Sequence, residues 1–330
     1  MAILATQKVL TLDYWKIASD LKPGDIVFDR YGNKTTIKLV QSFRAQNCYR
    51  VWFTDGRSIA GDANLKLPLE TEHYRNVARI YQGVRQFGNK PRITSLEQLT
   101  EMPLVIRPYR NEYSIATAGP LNFPHQTLPV PPFVFGYWFF NRRSNGLMTI
   151  DPQYKDFVFE KFKDAGYKVI EKKISHNNIR FFTTSPTVLS HLIPLIPIKI
   201  PNNYLLASAE QRFELLSGIL HVKKNIYNEK RRQFRFSNPK KAILSQVQYL
   251  ADSLGCKTIY KNREDVKTHT IVIKTRLHIT KNHKPKENKI HQNCRQVMDV
   301  EPIEPQGCIH IETNNPETGI LVGEGFITCH

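Results

Sequence analysis

Residues 26–60 read IVFDRYGNKTTIKLVQSFRAQNCYRVWFTDGRSIA, a stretch in which short apolar runs alternate with turn residues. Gly32 and Gly56 mark the clearest turns. The strand-like runs cover residues 26–28, 35–40, 49–53 and 58–60. Alternation at this spacing, punctuated by glycine and asparagine, indicates an all-β unit.

Strand-like runs also occur near both ends of the chain. One covers residues 9–12, and two more cover residues 308–311 and 320–322. Ser95 and Gln98 have the spacing of a capping box, which predicts that a short helix begins there. The all-β character therefore extends from the opening stretch to both termini.

The character of the chain changes after residues 120–132, where five prolines indicate a linker or a domain boundary. An apolar run with Gly136 follows, and a second run, which begins with a capping box at Ser208, contains Gly218. Further helix and strand patterns come after them at residues 156–162, 179–182, 233–236, 240–254 and 270–274. The two glycines lie 82 positions apart, so the pattern suggests a duplicated α+β domain.

Length and composition exclude several classes of protein. A chain of 330 residues has room for about two domains, and 41% hydrophobic residues exclude disorder as its main state. The longest apolar runs are well short of the roughly 20 residues of a membrane helix, and the N-terminus lacks a secretory signal. Five scattered cysteines do not form a disulfide framework, so we expect a cytoplasmic protein.

The net charge of +18 is concentrated in one part of the chain. Residues 133–300 hold 30 Lys and Arg against 13 Asp and Glu, whereas residues 1–132 hold 17 against 11. Residues 301–330 hold five Glu and no Lys or Arg. A near-neutral protein with a basic insertion would have this distribution, and double-stranded DNA is the expected partner of the insertion. A solvated surface adjusted for solubility is the alternative.

Both ends resemble sequence blocks of inteins, the protein-splicing domains found in phage terminases and replicative helicases. The first block of that family has a Cys, six residues, Val-Leu-Thr, a Trp and Asp-Leu-x-x-Gly-Asp. This block is matched by residues 2–12, Trp15 and residues 20–25, except that Ala2 stands where the family has its Cys. The last block ends in His-Asn, and LVGEGFITCH at residues 321–330 matches it as far as His330.

The middle of the chain resembles a LAGLIDADG homing endonuclease inserted into such an intein, on residues 128–136 and 211–220. This resemblance implies an all-β horseshoe of the Hint fold, formed by both chain ends and interrupted by a pseudo-twofold α+β domain. The expected boundaries are 1–125 and 297–330 for the two parts of the splicing domain and 126–296 for the insert.

The family chemistry assigns roles to the two ends. Splicing begins when a thiol or hydroxyl at the first intein position attacks the preceding carbonyl. That position is Ala2, whose methyl group cannot attack. Splicing ends when an Asn after the penultimate His cyclises, and here the sequence stops at His330. The resemblance thus implies an autocatalytic intein that is inactive as presented, with His330 as the general acid of the last step.

Two positions depart from the family pattern. The second block of inteins has Thr-x-x-His, and the matching residues here are Gly61 and Asn64. Asn64 can donate a hydrogen bond to the first scissile peptide but cannot carry a proton. A structural Asn in a tight turn is an equally good interpretation. A His that often precedes the closing strand matches Thr318.

The nuclease helices depart from their pattern as well. In the family each of two helices ends in an acid that binds a divalent metal. The matching positions are Asn141 in the first helix and His221 and Lys223 in the second. None of these is acidic, so we expect that cleavage is lost.

A cluster of basic and aromatic residues provides the expected DNA contacts. Its basic members are Lys230, Arg231, Arg232 and Arg235. A solvated strand face is the alternative.

The sequence gives no sign of a cofactor. Cysteine and histidine occur close together near residues 291–294, 308–310 and 329–330, but their spacing matches no zinc motif. We expect a monomer without metal, cofactor or membrane partner, joined in cis to flanking host-protein segments, the exteins. The alternative is a free-standing basic DNA-binding or nuclease protein in which the β ends serve as a scaffold.

Overall fold

The computed structural model describes most of the chain. The described residues are 1–71, 91–107, 110–141, 148–175, 178–183, 199–222, 226–231, 233–261, 268–275, 277, 279 and 294–330.

The first part of the chain is built almost entirely from strands. Its elements are β1 (Ala2–Leu4), β2 (Lys8–Thr11), β3 (Tyr14–Ile17), β4 (Ile26–Phe28), β5 (Lys34–Arg44), β6 (Cys48–Phe53), β7 (Ser58–Asp62), β8 (Lys66–Leu69), β9 (Arg92–Ser95), α1 (Leu96–Thr100), β10 (Val105–Arg107), β11 (Arg110–Asn111) and β12 (Ser114–Ala116).

The central part mixes helices and strands, and the last part returns to strands. The central elements are α2 (Pro132–Asn141), β13 (Met148–Ile150), α3 (Lys155–Asp164), β14 (Val169–Ser175), β15 (Asn178–Thr183), α4 (Asn202–Leu205), α5 (Ala209–Leu220), β16 (Tyr227–Asn228), β17 (Gln233–Asn238), α6 (Lys241–Asp252), β18 (Lys257–Lys261) and β19 (His269–Lys274). The final strands are β20 (Cys294–Ile303), β21 (Gly307–Thr313), β22 (Ile320–Val322) and β23 (Ile327–Cys329).

Strands from both ends form one twelve-stranded antiparallel sheet, ordered β12-β20-β6-β7-β1-β21-β5-β4-β2-β22-β23, with β3 on β2. The sheet intermixes the two ends, since β1 lies between β7 and β21. One face is apolar, and Ile3, Val9 and Val51 on it are fully buried. The expected β unit made from both ends is therefore present.

Strand β8 nearly closes this sheet into a ring. Lys66 exchanges two backbone hydrogen bonds with His330, which follows β23, at 2.9 and 3.0 Å. At the other end of β8, Glu70 pairs with Ser114 of β12. Because β12 and β23 are the two ends of the strand order, β8 lies between them. His330, which follows β23, is thus held against β8 by its backbone.

The central part contains two units of the same topology. In the first, β13-β15-β14 form a sheet; in the second, β17-β19-β18 follow the same order, with β16 added. Helices α2 and α5 pack against each other at their glycines. A Cβ on Gly136 would lie 2.5 Å from the Leu215 carbonyl oxygen. A Cβ on Gly218 would clash with the Phe133 carbonyl oxygen. The duplicated pattern in the sequence corresponds to this pair of units.

A buried ion network joins the central part to the β unit. Asp252 in α6 lies 3.0 Å from Arg57 and 3.7 Å from Arg295, and Arg295 lies 2.6 Å from Asp55. The side chains of Asp252 and Asp55 are fully buried. Since buried charges need compensating partners, these contacts fix α6 against the β unit.

The sequence located most of the helices but only ten of the 23 described strands. The capping boxes at Ser95 and Ser208 both form, and α1 and α5 begin directly after them. The strands that were not expected are β1, β3, β8–β14, β16, β18, β20 and β23. Among them, β14 and β18 add a strand to each central unit. The domain boundaries at 125 and 296 stay predictions. All five cysteines are free and buried.

Candidate functional site

The two ends of the chain meet at a pocket of about 390 Å³. Its lining residues are Met1, Ala2, Phe43, Asp62, Asn64, Lys66, His310 and His330. Three of the predicted splicing residues, Ala2, Asn64 and His330, are thus brought together. Residues 2 and 330 lie at opposite ends of the chain, so the sheet pairing described above brings them together here.

Ala2 is held in the middle of the sheet. It pairs with His310 of β21, and its neighbour Ile3 pairs with Gly61 of β7. A Cβ on Gly61 would lie only 2.5 Å from the Ala2 carbonyl oxygen. A side chain there would therefore displace β1. Gly61 acts on this site through close packing of two strands.

The peptide between Met1 and Ala2 is oriented by a backbone donor. The Ile311 N–H donates to the Met1 carbonyl at 2.8 Å. This carbonyl is the one that a nucleophile at position 2 would attack, and a fixed N–H donor stabilises the negative charge that develops on its oxygen. Sequence reasoning missed Ile311 because its contribution is a backbone group placed by strand register.

Asn64 and Asp62 form a polar pair beside Ala2. The Asn64 side-chain amide donates to Asp62 at 3.3 Å. Asp62 is buried, and its second carboxylate oxygen has no hydrogen-bond partner within the described part of the chain. Asp62 was not singled out in the sequence, although it lies within the stretch that matches the second splicing block. The role of Asn64 on the first scissile peptide stays a prediction.

The His330 ring is partly buried in the same pocket. Burial lowers its pKa from the usual 6.5, the Pro316 carbonyl opposes this shift by a hydrogen bond, and the positive charges of Arg30, the Met1 amine and Lys66 add to it. His330 is therefore mainly neutral at pH 7. Its Nε2 is buried and has no hydrogen-bond partner among the described residues.

The turn before β22 lies against His330 through Gly319. A Cβ on Gly319 would come within 3.1 Å of His330 Nε2 and would clash with the Cys329 carbonyl. Gly319 also has a φ of +64°, which favours glycine. The preceding residue, Thr318, bonds within the turn, where its hydroxyl donates to the Asn315 carbonyl at 3.1 Å. The catalytic role of Thr318 stays a prediction.

The ends of the paired helices α2 and α5 carry no acidic side chain. Asn141 Oδ1 accepts from the Thr149 N–H at 3.1 Å and from its hydroxyl at 2.9 Å. His221 is buried against Phe157, with ring centroids 4.8 Å apart, and burial lowers its pKa to about 4. Lys223 lies outside the described residues. Among the residues that the structure describes, no cluster of three His, Cys, Asp or Glu side chains could hold a metal ion.

The sheet of the second unit has a basic face. Phe234 and Phe236 on β17 are buried, whereas Arg235 between them is exposed. Arg235 pairs with Val272 of β19, and Lys261 and Lys274 lie on the same face by alternation along β18 and β19. Lys261 and Lys274 were missed because strand pairing, not sequence proximity, places them beside Arg235.

The remaining members of the predicted basic cluster are at the turn before β17. Lys230 and Arg231 are exposed there, and Arg232 lies outside the described residues.

The chain is similar to inteins and to homing endonucleases. No family model matches it. The chain is 24% identical to the replicative DNA helicase DnaB of Mycobacterium intracellulare. The match covers 96% of this chain and 56% of the helicase. The chain thus spans about half the length of this curated relative.

Three solved structures illustrate the similarity. The MchDnaB-1 intein is 25% identical, with a TM-score of 0.20, over 21% of this chain and 53% of its own. The Msm DnaB1 intein splicing domain bound with zinc is 28% identical, with a TM-score of 0.20, and the match covers 22% of this chain and 56% of that domain. The homing endonuclease I-DmoI in complex with DNA and Mn is 11% identical, with a TM-score of 0.30, and the match covers 44% of this chain and 89% of the endonuclease.

Among the helices that the structure describes, none combines the length and the apolar composition that a bilayer crossing requires.

Proposed function

We propose that this chain is an intein-type splicing element, with a Hint-like β unit made from both ends and an inserted DNA-binding domain descended from a LAGLIDADG endonuclease. The observation that carries the proposal is the shared pocket of Ala2 and His330, in which the Ile311 N–H donates to the Met1 carbonyl. A free-standing DNA-binding protein would have no need to bring its two ends to one polar pocket.

The first step would be an acyl shift. A thiol at position 2 attacks the carbonyl carbon of residue 1, a C–S bond forms, the peptide C–N bond breaks, and the amine of residue 2 takes up a proton. The Ile311 N–H would stabilise the oxyanion at that carbonyl. Ala2 has only a methyl group, so we expect no acyl shift at this position in the present chain.

The last step would be cyclisation of an Asn joined after His330. Its side-chain nitrogen attacks its own carbonyl carbon, a succinimide forms, and the peptide bond to the next residue breaks. The leaving amine needs a proton, which His330 would supply. The succinimide and the freed amine account for every atom of the peptide that is cleaved.

The insert would bind duplex DNA without cutting it. Arg235, Lys261 and Lys274 share one sheet face and could contact phosphates along a groove. At the helix ends, Asn141 and His221 carry no negative charge for a divalent metal. DNA binding would then be the activity that remains in this domain.

The test restores the missing groups. The variant Ala2→Cys, extended by Asn-Ser and a reporter domain after His330 and by a second reporter before Met1, should ligate the two reporters. The control keeps Ala2 in the same extended chain, where the acyl shift and ligation should be absent. A folded, repaired chain that neither splices nor cleaves at either junction would contradict the proposal.

A further inference from the structure

Strand β21 continues past the end of β1, and no described strand pairs with this edge of it beyond Met1. Ala2 pairs with His310, and Met1 exchanges two backbone hydrogen bonds with Ile311. Beyond Ile311 the strand goes on to Thr313, which pairs with β5 on its other edge. The pairing with β5 shifts register between Glu312 and Thr313, but the Asn314 N–H still donates to the Thr36 carbonyl at 3.1 Å. Because backbone groups alternate along a strand, Thr313 presents its N–H and C=O on the same edge as Ile311.

We propose that the peptide segment joined before Met1 extends β1 along this edge and that the edge selects the flanking sequence. The second residue upstream of Met1 would then form a hydrogen-bonded pair with Thr313. This inference rests on the proposed function, because an intein is preceded by such a segment, but its geometry can be tested without splicing.

The surroundings of the Met1 nitrogen favour a peptide bond over a chain terminus. This nitrogen donates to the Ile311 carbonyl at 3.2 Å, as a strand amide would. Burial lowers the pKa of the Met1 amine, although Asp62 and Glu312 oppose the shift. A peptide N–H makes the same hydrogen bond without placing a charge in a partly buried site.

Alternation along the extended strand defines two subsites. The side chain of Met1 packs against the apolar core that Ile3 and Ile309 help to form, so the residue at this position should be apolar. The residue before it would share a face with Ala2 and lie opposite Glu312.

The second subsite is polar. The carboxylate of Glu312 is 56% exposed and lies 3.1 Å from His310 Nε2. A cavity of about 400 Å³ opens beside it and is also lined by Lys38, Thr313 and Pro316. Opposite charges directly across an antiparallel pair attract, so a Lys should be favoured here over a Glu.

The test uses amide hydrogen exchange on the full chain, extended before Met1 by a short, strand-forming segment. The Thr313 amide should exchange about tenfold more slowly than in the chain without the extension, since a strand hydrogen bond forms. The Ile311 amide, already bonded to the Met1 carbonyl, serves as the internal reference. An unchanged Thr313 rate overturns the inference.

Proline placement checks the register. Proline at the second upstream residue removes the N–H that would donate to Thr313, and it should abolish much of the protection. Proline at the first upstream residue removes an N–H that points away from β21, and it should leave the protection in place. Equal loss from both prolines would contradict the pairing.

A charge pair tests the subsite opposite Glu312. Lys at the first upstream residue should protect Thr313 more than Glu does, and Glu312→Gln should remove the difference. Equal protection by Lys and Glu in the parent chain overturns the charge selection.

The outcome also separates this inference from the proposed function. Protection of Thr313 in a chain whose repaired form fails to splice contradicts only the splicing proposal. Splicing by a repaired chain whose Thr313 stays unprotected contradicts only the strand extension.

Discussion

Gly61 faces the Ala2 carbonyl with no room for a side chain between the two strands. The substitution Gly61→Ala should lower the free energy of unfolding by about 1–3 kcal/mol, because a methyl group 2.5 Å from a backbone oxygen forces β1 and β7 apart. Chemical denaturation measures the change. Gly307→Ala is the matched control, since a Cβ there meets nothing closer than 3.9 Å. Equal losses in both variants would contradict the packing role of Gly61.

His221 makes the stability of the protein depend on pH. Burial lowers its pKa to about 4, below the usual 6.5, so the unfolded chain binds the proton more readily. This contribution to stability is complete above pH 6.5 and is lost as the pH falls toward 4. At pH 4.5 the loss relative to pH 7 should be about 2.5 kcal/mol.

The variant His221→Phe tests this, since it keeps an aromatic ring beside Phe157 but does not titrate. Between pH 7 and pH 4.5 the parent chain should lose about 2.5 kcal/mol more of its free energy of unfolding than this variant does. His125→Phe, at an exposed position, is the control and should behave like the parent. An identical pH dependence in all three chains would refute the assignment to His221.

The site residues differ in whether the sequence alone could predict them. Ala2 and His330 were predicted as site residues from short terminal patterns, and both line the pocket, while their roles stay predictions. Ile311 could not be found, since its N–H acts through strand register, which no local pattern encodes. Asp62 was within the matching stretch, but its burial depends on neighbouring strands.

At the scale of elements, the basic face of β17, β18 and β19 should govern DNA binding. Arg235→Ala should weaken binding to duplex DNA and reduce the slope of log affinity against log salt by about 1, because one phosphate contact is lost. Lys163→Ala, an exposed lysine on α3, is the control and should leave the slope unchanged. Fluorescence anisotropy over a salt series measures both.

Equal effects of the two substitutions would mean that net charge alone, not this face, binds DNA. Added Mg²⁺ should not induce cleavage of the bound duplex, because Asn141 and His221 offer no carboxylate to the metal.

The elements that the sequence predicted are those with local signals. Capping boxes at Ser95 and Ser208 fix helix starts through bonds that span three residues. Strand β1 was missed because its three residues are strand only by pairing with β7 and β21, which are distant in sequence. Likewise, β8 was missed because it is positioned by backbone hydrogen bonds between Lys66 and His330, residues that are distant in sequence.

At the scale of the whole molecule, the ion network around Asp252 should hold the central part against the β unit. Asp252→Ala leaves Arg57 and Arg295 with one buried carboxylate, Asp55, and should cost about 3–5 kcal/mol. Glu324→Gln is the control, because Glu324 is 56% exposed and should contribute less than about 1 kcal/mol.

The Asp252→Ala variant should also unfold in two steps rather than one, as the two parts separate. Circular dichroism and tryptophan fluorescence would then report different midpoints. A single transition with parent-like stability would show that the network does not couple the two parts.

The most direct measurement of the central claim is a time course of intact mass for the repaired, extended chain with Ala2→Cys and Asn after His330. The account predicts a ligated product of the two flanking segments together with a released chain that ends in a succinimide. Replacing His330 by Ala should slow the cleavage after Asn more than the thiol-dependent step. A folded precursor whose mass stays constant, with neither junction cleaved, would contradict the account.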